Sequence, residues 1–260
     1  MHFQKLSIIW LLCLFTISSL ALEIKALPQG LTVSQALYTN CLQRTQTQQL
    51  LKAYIMVGLH SSYQNPQKSL SSGVLAYDKR FKALERFFRE RIKDAEHVQY
   101  LDEANSLWEK SKTLLEAEPT KESAVQLYSN FQSMIKLLGK TKILAKKSFK
   151  AVSMTGGLCR DPLYLSNLYL MKLWGADLPE YEAKMQKIIA HFKKNVTTLK
   201  AYQGSTDEIK MHIANAEDAF QFFTFMYEHK VTIPTLISKK ADSIFLEIRT
   251  IKSLYGKMLK

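Results

Sequence analysis

The stretch Leu70-Ser-Ser-Gly-Val-Leu-Ala-Tyr-Asp-Lys-Arg-Phe-Lys-Ala-Leu-Glu-Arg-Phe-Phe88 decides the fold class. Its apolar residues Val74, Tyr77, Phe81, Leu84, Phe87 and Phe88 recur at spacings of three and four. That period puts them in one stripe along a helix and on both faces of a strand. The same period runs almost throughout the chain. Before this segment lies Thr32–Leu59, with Leu37, Leu50, Leu51, Tyr54, Ile55 and Leu59, closed by the polar run Ser61-Ser-Tyr-Gln-Asn-Pro66. Leu70 to about Asp94 forms the second segment, Val98–Glu116 the third and Lys121–Lys150 the fourth.

The pattern then restarts after Gly156-Gly157. A helix is predicted from Pro162 to Trp174 with Gly175 as its C-terminal cap. The next is predicted from Asp177-Leu-Pro-Glu180 to about Tyr202, another from Ser205-Thr-Asp-Glu208 to about Lys230, and a last from Pro234 to about Leu259. Ala53-Tyr-Ile-Met56 aligns with Leu168-Tyr-Leu-Met171, and Phe81 and Phe88 align with Phe192 and Leu199. This reads as an internal duplication of about 110–120 residues per copy. The expectation is an all-α chain of two tandem up-down four-helix bundles, spanning residues 22–150 and 151–260 and joined near Ala151–Gly157. The alternative is one longer bundle of fewer, merged helices.

Composition fits this class. Of the 260 residues, 47% are hydrophobic, enough for a real core, while only 9 Gly and 6 Pro are available for turns. The net charge of +13 is spread along helical faces such as Lys79-Arg80-Lys82-Arg86-Arg89-Arg91-Lys93. It reads first as a solvated surface and second as a weak pointer to an anionic partner. Residues 1–21 read as a cleaved secretory signal peptide: Lys5, the apolar run Leu6–Ile17, then Ser19-Leu20-Ala21. The apolar run is shorter than the ~20 residues of a membrane span, which disfavours an uncleaved anchor. The expected localisation is the periplasm. Cys41 and Cys159 then remain, and an up-down bundle returns the chain to its starting end, near both of them. A Cys41–Cys159 disulfide is expected, with two unpaired thiols as the alternative.

Catalytic signatures are missing from the pattern. No two histidines lie three or four residues apart, neither cysteine has a histidine beside it in a metal-ligand pattern, and Gly156-Gly157 lacks the Gly-Lys-Ser/Thr of a phosphate loop. The chain is expected not to be an enzyme, with no metal and no cofactor.

Several runs together resemble a known family. Asn167-Leu-Tyr-Leu-Met-Lys-Leu-Trp-Gly175 followed by Pro179-Glu180, the counterpart Lys52-Ala53-Tyr54, and Leu101 with Leu107-Trp108 are similar to the PilJ-type domain. This is the N-terminal periplasmic sensor domain of type IV pilus methyl-accepting chemotaxis transducers, related to nitrate/nitrite sensor modules. The likeness covers nearly all of the chain after the signal peptide, with degenerate motifs. It implies a helical sensor bundle whose first helix contacts a small anion through an arginine. At the family's motif positions stand Gln43-Arg44 and Thr47-Gln48 in the first copy, with Cys41 and Leu42 replacing its glycine and first arginine. Gly157 and Arg160 stand in the second, with Asp161 directly after. The candidate ligand residues are therefore Arg44, Gln43, Thr47, Gln48 and Arg160. A guanidinium's planar fork suits nitrate, carboxylate or phosphate, and the amides and hydroxyl add donors. The expected function is an exported soluble sensor-like protein that binds a small ligand, such as the anions nitrate or nitrite, and acts through a separate membrane-bound signalling protein. The family likeness also allows a homodimer, and no nucleic acid is expected. The alternative is a periplasmic structural or adaptor protein whose ligand site has decayed.

Overall fold

The computed structural model describes residues 30–141 and 155–258. The signal-peptide reading of residues 1–21 and most of the junction at 151–157 lie outside the described residues. Within them the fold is all-α, with eight α-helices and no strand. They are α1 (Val33–Gly58), α2 (Pro66–Phe87), α3 (Ala95–Glu116), α4 (Lys121–Lys140), α5 (Asp161–Trp174), α6 (Tyr181–Lys200), α7 (Asp207–Glu228) and α8 (Pro234–Met258). None is long and apolar enough to cross a membrane.

Local chemistry fixes the ends. Thr32 and Gln35 form a capping box that starts α1. Asp94, Thr120 and Thr206 each accept a first-turn amide at the starts of α3, α4 and α7. Two boundaries differ from the sequence expectation. Helix α2 begins at Pro66, four residues early, because Asn65 caps the Lys68 amide and proline at the first helical position forfeits no hydrogen bond. Helix α6 begins at Tyr181 rather than Asp177: Glu180 takes a left-handed conformation, φ 57°, and Asp177 caps nothing. Gly175 ends α5 at φ 77°, as a C-terminal glycine should. One turn of π-helix, Phe88–Ile92, extends α2.

The helices pack in two cyclic sets. Helix α1 lies on α2 and α4, and α3 completes that set by touching α2 and α4. Likewise α5 lies on α6 and α8, with α7 between them. The sets share a seam where α1 runs against α5, and the buried apolar residues of both halves join in one core. Gly58 makes the close approach possible: a β-carbon there would stand 2.2 Å from the Trp174 ring. In the first set, Trp108 is buried with its ring 4.0 Å from that of Tyr77, and its indole donates to Asp78 at 2.5 Å. In the second, Phe192 and Phe220 stack at 3.9 Å and the Tyr169 hydroxyl donates to the Met226 carbonyl. A partly buried ion pair, Lys52–Asp242, ties α1 to α8 across the two sets.

Candidate anion site on the first helix

Helix α1 has an unusual interior. Asn40, Gln43, Thr45, Gln46, Thr47 and Gln48 are all buried, in a stretch where a bundle helix ordinarily presents apolar side chains. Each such group needs a partner or costs free energy. Gln43 and Gln46 turn to α2, donating to the Tyr77 and Gly73 carbonyls at 3.0 and 2.7 Å. Asn40 donates to the Leu138 carbonyl and the Thr141 hydroxyl. The hydroxyls of Thr45 and Thr47 bond to carbonyls of their own helix.

On the side facing α4 and α5 three buried donors have no partner among the described residues, and the Asn40 and Asn167 side-chain oxygens have none either. Gln48 accepts from Asn167 through its carbonyl oxygen and its side-chain oxygen, which leaves its Nε2 donor unpaired. Gln132 Nε2, on α4, is a second buried donor without a partner among the described residues. Arg44 Nε is a third. Arg44 lies against Gly139 of α4 and has no ion pair among the described residues. Its guanidinium is lowered to about 10, first by burial and then by the charge of Arg160 close by. The charges of two of the sequence's candidate ligands thus act on one another.

A cavity of about 600 Å³ adjoins this cluster, walled by Gln48, Gln132, Tyr128, Arg160, Tyr164 and His191, with Asp161, Glu180 and Lys184 also on it. The Tyr128 and Tyr164 hydroxyls bond to one another at 2.7 Å, which fixes one wall. Asp161 does not form an ion pair with Arg160. It bonds to His191 Nδ1 at 2.7 Å instead. Burial raises its carboxyl, and the bond to Asp161 raises the His191 imidazole. A larger cavity, about 980 Å³, lies by Leu70, Leu115 and Trp174, but none of its walls carries an unpaired buried donor.

Of the sequence-derived candidates, Gln48 and Arg160 line this cavity, and Arg44 lies one helical turn before Gln48 on α1. Gln43 faces α2 instead, bonded toward Tyr77 and Arg80, and the Thr47 hydroxyl is spent on the Arg44 carbonyl. The structure corrects the disulfide expectation: Cys41 and Cys159 are free thiols. Lys252 Nζ donates to Cys41 Sγ at 2.9 Å, while burial pushes the Cys159 thiol up to about 12. No group of three or more His, Cys, Asp or Glu suited to a metal occurs among the described residues.

Sequence reasoning missed Gln132, Tyr128, Tyr164 and His191. Gln132 borders the apolar stripe Tyr128–Phe131–Ile135 of α4, a weak signal that its amide faces inward. Nothing in the spacing pairs Asp161 with a histidine one helix later. In comparisons with known proteins, no family model, no curated protein and no solved structure matches this chain.

Proposed function

We propose that the chain is an exported, sensor-like protein of the kind the PilJ-type resemblance suggests, and that it holds a small anion between α1, α4 and α5. One observation carries the reading. Arg160 lines a cavity with two buried amide donors, Gln48 Nε2 and Gln132 Nε2, that have no acceptor, and its charge bears on Arg44, one helical turn before Gln48. An oxyanion supplies what both lack: negative charge between the guanidiniums and oxygens for the amides. The adjoining cavity falls within the size range of small-molecule sites. Binding would draw α1, α4 and α5 together across the seam between the two sets. That movement is the signal a separate membrane-bound partner would read.

One observation favours the alternative, an adaptor whose site has decayed. Asp161 and Glu180 line the same cavity and offset part of its positive charge. Thermal unfolding against nitrate, nitrite, acetate and phosphate at fixed ionic strength separates the two readings, because a ligand held only by the folded state raises the melting temperature. A selective rise that disappears in Arg160→Gln supports the anion site. A flat response across the panel removes it and leaves the adaptor.

A further inference from the structure

A second cavity, about 270 Å³, opens between α1, α2 and α8, and its charged lining has a single sign. Arg80 enters from α2, and Arg249 and Lys252 enter from α8; no carboxylate lines it. Sequence reading placed Arg80 on a solvated face, yet it is only 8% exposed. It falls three residues after Tyr77 and directly before Phe81, so the helical period carries it inward with that stripe. Its guanidinium donates to the amide oxygens of Gln43 and Gln46 and to no carboxylate among the described residues. Burial lowers it from its ordinary value. A buried cation held only by neutral acceptors opposes folding unless a counter-charge arrives. Lys252 stands over Tyr38, with its ammonium 5.1 Å from that ring's centre. The remaining wall includes Leu42 and Phe245, both apolar.

We propose that this cavity binds a small organic dianion of the short dicarboxylate type. One carboxylate lies in the fork of Arg80, the other on Arg249 and Lys252, and the carbon chain between them lies against Leu42 and Phe245. Two features select this class over a lone inorganic oxyanion. The cations come from two helices, so two anionic ends satisfy them better than one centre. The apolar wall gains nothing from a hydrated ion but excludes water from a hydrocarbon spacer. Guanidinium–carboxylate pairing through two parallel hydrogen bonds supplies the orientation. This site shares no lining residue with the cavity beside Arg160, so its standing does not depend on the reading given above.

The test is isothermal titration of the full chain with succinate, acetate and inorganic phosphate at one ionic strength, on wild type, Arg249→Gln, Lys252→Gln and Arg160→Gln. Arg249 is exposed and Lys252 half-buried, so these variants should fold, and far-UV circular dichroism verifies that they do. The expected result is saturable 1:1 succinate binding, weakened at least tenfold in Arg249→Gln and in Lys252→Gln, and changed less than twofold in Arg160→Gln. Acetate should bind at least tenfold more weakly than succinate. The proposal is overturned if succinate does not bind, if phosphate binds as tightly as succinate, or if Arg160→Gln is the variant that abolishes binding.

Discussion

Replacing Arg44 by methionine should stabilise the unliganded protein and abolish its response to anions. An ordinary guanidinium stays charged far above the physiological range. Burial and the neighbouring charge of Arg160 bring Arg44 to about 10. At about 1.4 kcal/mol per pKa unit, that fall corresponds to roughly 3 kcal/mol opposing the charged side chain in the folded state. Arg44 keeps some contact with solvent, which screens its charge, so about 2 kcal/mol is the working figure. The sign follows from linkage. The folded value lies below the unfolded one, so the destabilisation is complete at every pH below about 10 and lifts only as pH rises beyond it. Neutral-pH wild type therefore carries all of it. Methionine keeps an apolar stem of similar length and removes the guanidinium that lies by Gly139. Urea unfolding in a buffer poor in small anions should show Arg44→Met more stable by about 2 kcal/mol, or roughly 4–8 °C in melting temperature. Added nitrate or acetate should close the gap by stabilising wild type alone. A variant less stable than wild type by more than about 1 kcal/mol, or one that keeps the wild-type anion response, refutes the reasoning.

Other perturbations test the frame around the site. Asp242→Ala leaves the half-buried Lys52 ammonium unpaired and should cost about 1–3 kcal/mol in denaturant unfolding, whereas the double variant Lys52→Met/Asp242→Leu should fall within about 1 kcal/mol of wild type. Gly58→Ala drives a β-carbon into the Trp174 ring at the α1–α5 seam and should destabilise by about 1–3 kcal/mol, with recovery when Trp174→Leu is added. Because His191 is raised by its bond to Asp161, the stability it contributes is fully present below about pH 6.5 and is lost as pH climbs through its raised folded value. His191→Gln should flatten stability against pH in that window, and an unchanged slope would mean that the Asp161 contact has no thermodynamic weight.

The helices were legible because apolar stripes such as Val74–Tyr77–Phe81–Leu84 repeat at the helical period, and because Thr120, Thr206 and Gly175 mark ends chemically. Pro66 was harder: proline reads as a breaker until Asn65 is recognised as the cap in front of it. The site was half legible. Family likeness picks out Arg44, Gln48 and Arg160, of which Gln48 and Arg160 line one cavity. Gln132 and His191 reach the same cavity from α4 and α6, and no local spacing encodes that meeting. The buried polar side of α1 and the inward Arg80 escaped for a common reason. Glutamine, threonine and arginine are read from sequence as solvent-facing, and only packing against α2, α4 and α5 reveals that they are enclosed. Cys41 and Cys159 were expected near one end of the fold, and Cys41 does lie by Gly156, with its sulfur beside Lys252.

Nuclear magnetic resonance of the arginine Nε–Hε groups during a nitrate titration at constant ionic strength tests the central claim most directly. The account predicts that the Arg44 and Arg160 signals move together along one saturable curve, and that Arg160→Gln removes the response of Arg44. Signals that drift linearly without saturation, or an Arg44 signal that responds unchanged in Arg160→Gln, would contradict a shared anion site.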